Sequence, residues 1–397
     1  MGMFADRMSQ VSVSATLKVA AEAERLRRAG HSVVDFSAGE PDFPTPEHVK
    51  AAAKAAIDAN FTRYTAAAGI PELREAICTR YKHQYGVDIT AAEVLLTVGG
   101  KQALFNTALA LYNPGDEVIT HAPYWPTIPE QVKLVGAVPV IVQTGSEDGF
   151  RVSAEAILGK ITPKTKAIIL NSPSNPTGAL IEESVVATIA DEAAKRGIWT
   201  VVDLCYEQLI YETVPHNLPK TLFDRNRAKT VLCGSASKSY AMTGWRAGWT
   251  IAPKELTSVF NIIQGQSTSN ISSITQKAVL AAVSGSQDAV TAMLDEYRER
   301  RDNIHAWLTA HPGIQCVKPK GAFYLFPNIS GLLAPGTTST DFAQALLEKE
   351  HVVVTPGEAF DAPGYLRISY ATSMEQLREG ATRILRFAES LQQTAAR

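Results

Sequence analysis

The segment Ser235-Ala-Ser-Lys-Ser-Tyr-Ala-Met-Thr-Gly-Trp-Arg246 sets one lysine, Lys238, just after two hydroxyls, Ser235 and Ser237, and eight residues before Arg246. Held beside a phosphorylated aldehyde, a lysine amine can form an imine with it. A dianionic phosphate needs several directed donors, and two hydroxyls with a guanidinium fork supply them. Each charge-assisted hydrogen bond contributes about 1.5–3 kcal/mol. By itself the string also fits a solvated loop, in which Lys238 and Arg246 only keep the surface soluble.

Other chemistries lack their residues. No G-x-x-x-x-G-K-[ST] loop is present; Gly99-Gly100-Lys101-Gln102 matches only its end, with Gln in place of the magnesium-binding hydroxyl. No G-x-G-x-x-G follows a strand pattern, and neither H-E-x-x-H nor G-x-S-x-G occurs. Kinase, nicotinamide dehydrogenase, zinc hydrolase and α/β-hydrolase readings lose support. The cysteines, Cys78, Cys205, Cys233 and Cys316, are far apart and form no C-x-x-C pair. Neither a metal site nor a disulfide framework is expected, and a reducing compartment fits. A formal net charge of -2 gives no global attraction to nucleic acid or to an anionic membrane. Met1 to Gln10 lacks the apolar core of a signal peptide, and no apolar run approaches a membrane span. The expected location is cytoplasmic.

The elements that must position Lys238 alternate between helix and strand. Short apolar or β-branched runs at Val94–Val98, Glu117–Thr120, Val138–Val142, Lys166–Leu170, Trp199–Asp203 and Thr230–Leu232 read as strands. Helical patterns cover Ala51–Ala59, Glu72–Tyr81 after Pro71, Lys101–Tyr112 and Glu182–Arg196. Continuous apolar strands between helices predict an α/β fold with a mostly parallel sheet covered on both faces. Ligands of such sheets sit at the carboxyl ends of the strands. Asn175, Asp203 and Lys238 all fall at or just past such an end. The sheet pattern stops near Pro253, a long helical region follows from Gln276 to His311, and a smaller α/β portion closes the chain. The expected division is an N-terminal segment, 1–45, joining the small domain, a large domain, 46–285, and a small domain, 286–397.

The whole string through Arg246 resembles the lysine motif of the class I/II aminotransferases, which are fold-type I pyridoxal-phosphate enzymes. Five further elements resemble that family in order along the chain: Ser37-Ala-Gly-Glu-Pro-Asp42, Tyr64-x-x-x-x-Gly69 with Leu73-Arg74, Asn171-Ser-Pro-Ser-Asn-Pro-Thr-Gly178, Asp203-Leu-Cys-Tyr206 and Tyr365-Leu-Arg-Ile-Ser-Tyr370. The resemblance implies a role for each matching residue. Lys238 would form the Schiff base with pyridoxal 5'-phosphate and then move the proton. Asp203 would hold the pyridine nitrogen protonated so that the ring accepts carbanion charge. Asn175 and Tyr206 would donate to the ring's phenolic oxygen. Ser235, Ser237 and Arg246 would bind the phosphate, together with the helix start at Gly100, Lys101 and Gln102, where unpaired N–H groups favour an anion. Trp125 would stack on the ring. Tyr64 would reach the partner subunit's cofactor, which implies a homodimer with shared active sites. Arg367 would grip the substrate α-carboxylate, with the Gly39 backbone beside it.

Outside such a motif each residue has an ordinary alternative: Asp203 a turn cap, Asn175 a turn residue before Pro176, Trp125 a core filler, Arg367 a surface arginine. One departure stands out, since Leu204-Cys205 replaces the more usual Glu or Ala followed by an aliphatic residue. Ser14-Ala15-Thr16 and Gly99–Gln102 resemble the bacterial aspartate/prephenate aminotransferase subgroup, in which Thr16 and Lys101 would bind a distal carboxylate. A cation there suits a dicarboxylic substrate. The expected substrates are an L-amino acid, aspartate or a related dicarboxylic or prephenate-type compound, and 2-oxoglutarate. Rival readings are aminotransferases for aromatic, alanine or branched-chain donors, a pyridoxal-phosphate C–S lyase, and a binding module that keeps the fold without the chemistry.

Overall fold

A computed structural model describes residues 5–11 and 23–395. Its centre is a seven-stranded sheet. In spatial order the strands are Val94–Thr97, Gly248–Ile251, Thr230–Ser235, Trp199–Asp203, Thr165–Asn171, Glu117–Ala122 and Val138–Gln143. All pairings are parallel except those of Gly248–Ile251, which runs antiparallel to both neighbours. The six strands expected from sequence all form, Trp199–Asp203 with the expected ends and the other five with shifted ones. The seventh, Gly248–Ile251, has no helix between it and the lysine segment, so the alternating pattern concealed it. The sheet is mixed and mostly parallel, as the resemblance to fold-type I enzymes implies.

Side-chain alternation along the strands explains the layering. Ile168, Leu170, Val202 and Leu232 face one apolar cluster, packed by the helices Pro71–Tyr85, Glu183–Arg196 and Ser273–Ser284. Their neighbours Ala167, Ile169, Val201 and Val231 face another, under the helices Gly99–Leu111 and Lys254–Ser267. Both faces are buried, so the strands read as unbroken apolar runs. Pro71 opens its helix at the first position, where its missing N–H is harmless. The helical region from Gln276 to His311 is two helices, Ser273–Ser284 and Asp288–Thr309. Gly285 separates them in an extended conformation, and a Cβ there would lie 2.6 Å from the Ala281 carbonyl oxygen.

A second core gathers around a three-stranded antiparallel sheet of Thr355–Pro356, Leu366–Ser369 and Tyr324–Leu325. Val34–Asp35 pairs in parallel with Val352–Val353, which ties the early chain to this late portion. The long helix Met374–Ala395 packs on Asp288–Thr309.

The antiparallel strand brings backbone close to the helix start that follows Thr97. A Cβ on Gly248 would lie 2.6 Å from the Gly100 nitrogen and 2.8 Å from the Gly234 oxygen, all rigid backbone. Gly248→Ala must therefore part the strand from the turn, at a cost of about 1–3 kcal/mol. We expect a lower melting temperature by calorimetry; an unchanged melting point would contradict this packing.

Candidate active site

Parallel strands in register deliver their carboxyl ends to one rim. Asn171 and Asp203, the last residues of adjacent strands, are direct register partners, and Asp203 is paired in turn with Cys233. Ser235 ends the next strand and caps the short helix Ala236–Ser239 by accepting from Ser237 N–H at 3.1 Å. Lys238 sits on that helix. Trp125 lies three residues past the strand Glu117–Ala122, and Gly100 is the second residue of the helix that follows Val94–Thr97. These ends enclose a cavity of about 320 Å³, within the range of small-molecule sites.

Most of the sequence-predicted residues line this cavity: Gly39, Gly100, Lys101, Trp125, Asn175, Asp203, Tyr206, Ser235, Ser237, Lys238, Arg246 and Arg367. Three do not. Gln102 turns its side chain to the fold, accepting from Val98 N–H and donating to Thr268 Oγ1 at 2.8 Å. Only its place in the first helical turn remains from the expectation. Tyr64 is 90% exposed and away from the cavity of its own chain. Thr16 lies outside the described residues.

Asp203 and Arg367 stand where water is scarce, Lys238 is half-buried, and Lys101 and Arg246 are exposed. Asp203 is 3% exposed, and burial pushes its carboxyl up to about 6 despite the Cys205 N–H it accepts at 3.0 Å and the nearby Lys238. Burial also lowers the Lys238 ammonium, against weaker opposing effects of Cys205 and Glu40. Lys238 Nζ donates to the Gly39 carbonyl oxygen. Lys101 is lowered as well, by partial burial and then by Arg246, and its ammonium lies 5.1 Å from the Trp125 ring centre.

Arg367 enters from the second core. Its Nη1 donates to Asn175 Oδ1 at 3.1 Å and its Nη2 to the Ser37 carbonyl at 2.9 Å. The guanidinium lies over the rings of Tyr324, at 4.5 Å, and Phe360, at 5.0 Å. Its buried Nε has no partner among the described residues, so one donor of the fork is still to be used. At the other end Arg246 holds a positive φ of 55° and donates from Nη1 to the Thr243 carbonyl at 3.0 Å. Gly99, at φ 77°, leaves room for it: a Cβ there would lie 2.9 Å from Arg246 Nη2.

The loop after Asp203 is fixed from behind. Glu207, 7% exposed, pairs with buried Arg80 at 2.5 Å and accepts from the Tyr85 hydroxyl at 2.7 Å. Breaking one side of such a buried pair is strongly destabilising.

Sequence reasoning missed Tyr324, Cys205, Asn171 and Phe360 as parts of the site. Asn171 accepts from Asn175 N–H at 2.9 Å and so shapes the turn. Tyr324 lies within Ala322-Phe-Tyr-Leu-Phe326, a run that reads as any core strand. No local signal marks it, because its place depends on pairing with the Arg367 strand.

The donor set fits a phosphorylated aromatic aldehyde. Hydroxyls and Arg246 stand at one end with the helix start, a carboxylate and an amine stand in the middle, and a half-free guanidinium stands at the far end.

The family model for class I and II aminotransferases matches residues 31–384. This chain belongs to that family. It is 43% identical to the aspartate/prephenate aminotransferase of Cereibacter sphaeroides, over 98% of this chain and 100% of that one. It is 41% identical to the aspartate aminotransferase of Geobacillus stearothermophilus, over 97% and 99%. Among solved structures, the Rhizobium meliloti aspartate aminotransferase superposes with a TM-score of 0.93 at 38% identity, covering 98% of this chain and 99% of that one. The Thermus thermophilus aspartate aminotransferase with maleate gives 0.91 at 41%, over 98% and 100%.

The Asp203 shift has a consequence for the ligand-free aminotransferase. Its folded pKa, about 6, exceeds the ordinary 3.8, so the folded state holds a proton that the unfolded chain has already released between those values. The penalty is absent below the ordinary value and complete above about pH 6, where it amounts to about 3 kcal/mol. Asp203→Asn should therefore melt higher than wild type at pH 8, with the gap closing towards pH 4. A gap that is constant or reversed across a pH series of melting curves would count against this account of the carboxylate.

Proposed function

We propose that the chain is a pyridoxal-phosphate-dependent aminotransferase that takes the amino group of aspartate, or of a related dicarboxylic donor, and delivers it to 2-oxoglutarate. The observation that carries this reading is the meeting of Lys238, Asp203 and Arg367 in one cavity. The cofactor, when bound, supplies a protonated ring that stabilises negative charge on the substrate α-carbon. The residues of this chain do the rest. Ser235, Ser237, Arg246 and the N–H groups near Gly100 would hold the phosphate. Asp203 would keep the ring nitrogen protonated, and that positive partner would draw its own pKa back down. Asn175 and Tyr206 would face the phenolic oxygen, and Trp125 would cover the ring.

Lys238 Nζ would take the proton from the substrate α-carbon and, across the nitrogen, would return it to the carbon that was the cofactor's aldehyde. Burial favours its neutral form, which suits that work. Arg367 binds the α-carboxylate and fixes which α-bond faces the ring. Lys101, beside Trp125, suits a second carboxylate, and the names of the relatives support a dicarboxylic donor. Prephenate, named for the Cereibacter protein, is the next substrate to try. We assign Tyr64, exposed in the single chain, to the partner's site in a homodimer, and place the enzyme in the cytoplasm. Among the described residues, no helix is long and apolar enough to cross a membrane. We read 46–285 as the cofactor-holding domain, with 286–397 and the N-terminal segment 1–45 as the smaller one.

Aspartate with 2-oxoglutarate should yield oxaloacetate and glutamate, and borohydride should fix the cofactor on Lys238. Lys238→Ala should lose roughly 10³-fold or more in kcat. Arg367→Lys keeps the charge but loses the fork, so kcat/KM should fall roughly 10- to 100-fold. Pyruvate and ammonia from a β-substituted amino acid, without amino transfer, would overturn the reading in favour of a lyase.

A further inference from the structure

One buried side chain of the cavity has no part in the reading above. Tyr324 is fully buried, yet it touches three components of the site. Its ring lies under the Arg367 guanidinium at 4.5 Å. Its hydroxyl is 2.8 Å from the Tyr206 hydroxyl. That same oxygen would stand 3.2 Å from a Cβ on Gly39, whose carbonyl receives Lys238 Nζ.

The strand register produces this placement. Tyr324 pairs with Ser369, so Arg367, two residues away, projects from the same sheet face as a diagonal neighbour. The ring therefore supports a cation that must be free to take a carboxylate. A cation over an aromatic face is held without using any of its N–H donors.

The hydroxyl pair adds a second constraint. Two phenols in one hydrogen bond share a single donor between them. When Tyr324 donates, Tyr206 accepts, and the Tyr206 proton is left for an acceptor in the cavity. When Tyr206 donates to Tyr324, it has no proton to offer. Both phenols are buried and neutral, so this choice is one of orientation and not of ionisation.

We infer that Tyr324 is a positioning residue that couples the two ends of substrate recognition: its ring seats Arg367 for the carboxylate, and its hydroxyl turns the Tyr206 proton into the cavity. This rests on the aminotransferase reading above and adds a residue to it. The Tyr206–Phe323 and Tyr206–Tyr324 edge contacts anchor Tyr206 in the second core, so Tyr324 also links the loop after Asp203 to the strand that carries Arg367.

Two substitutions separate the two roles. Tyr324→Phe keeps the ring and removes the hydroxyl. The dissociation constant of maleate, used as a dicarboxylate probe of the holoenzyme, should stay within about 3-fold of wild type, because the cation–ring contact survives. The kcat should fall about 10-fold with KM little changed, the mark of one lost hydrogen bond at the reacting end. The pH midpoint of the bound cofactor's visible absorbance should rise by roughly half a unit or more, since Tyr206, no longer polarised by a hydrogen bond accepted from Tyr324, becomes a weaker donor to the ring oxygen. In a Tyr206→Phe background the same change should have almost no further effect on kcat. Tyr324→Leu removes the ring too and should weaken maleate binding about 10-fold.

A merely structural role predicts otherwise. Both variants would then lose activity in step with melting temperature, the absorbance midpoint would not move, and the Tyr324 and Tyr206 effects would add. Any of these results overturns the coupling while leaving wild-type amino transfer intact. A wild-type protein that transfers no amino group would instead sink the reading on which the coupling rests.

Discussion

The structure turns on a carboxylate kept almost dry at the end of a central strand. Asp203 is held there by parallel pairing on both sides, and its pKa rises because water is excluded. Such a group destabilises the ligand-free fold. It persists because its strand is packed on both sides, with Val201 and Val202 wholly buried on opposite faces. A ring nitrogen bearing a proton would give that charge the partner it lacks. The same logic applies to Lys238, whose charge burial opposes, and to Arg367, whose Nε is buried without a partner among the described residues. Structure and function share one tension here: the groups whose burial is costly are those a charged ligand would satisfy.

Two cores must agree for this cavity to exist. The seven-stranded sheet supplies the rim of strand ends from Gly100 to Lys238. The second core supplies Arg367 and Tyr324 from paired strands. Tyr206 leaves the first and packs into the second, and the Arg80–Glu207 pair pins the loop between them. Rigid parts on both sides explain how a guanidinium from residue 367 can meet an amide from residue 175 at 3.1 Å.

Much of the sheet was legible in the chain, for a simple reason. Strands buried on both faces become uninterrupted apolar runs, and Pro, Gly and Asn mark where they stop. The antiparallel strand Gly248–Ile251 escaped because it follows the lysine segment without a helix between them. The break at Gly285 was hidden inside an otherwise continuous helical pattern. The candidate residues with sharp chemical character, Lys238, Asp203, Arg246 and Arg367, were found in ordered motifs. Gln102 was placed at the right turn, but its side chain caps the helix and does not reach the cavity.

The sequence by itself determined that Lys238 sits in a segment with two hydroxyls and an arginine, and that Asp203 and Arg367 stand in further ordered motifs elsewhere in the chain. It did so because those motifs require particular residue types, and residue types are written locally. Only the tertiary structure decided that Lys238 faces the Gly39 carbonyl, that Asp203 is dry enough to shift its proton affinity, and that Tyr324 lies between Arg367 and Tyr206. Burial and cross-strand register are properties of distant segments brought together. An aromatic run such as Ala322–Phe326 has the same composition whether its tyrosine fills a core or lines a catalytic cavity.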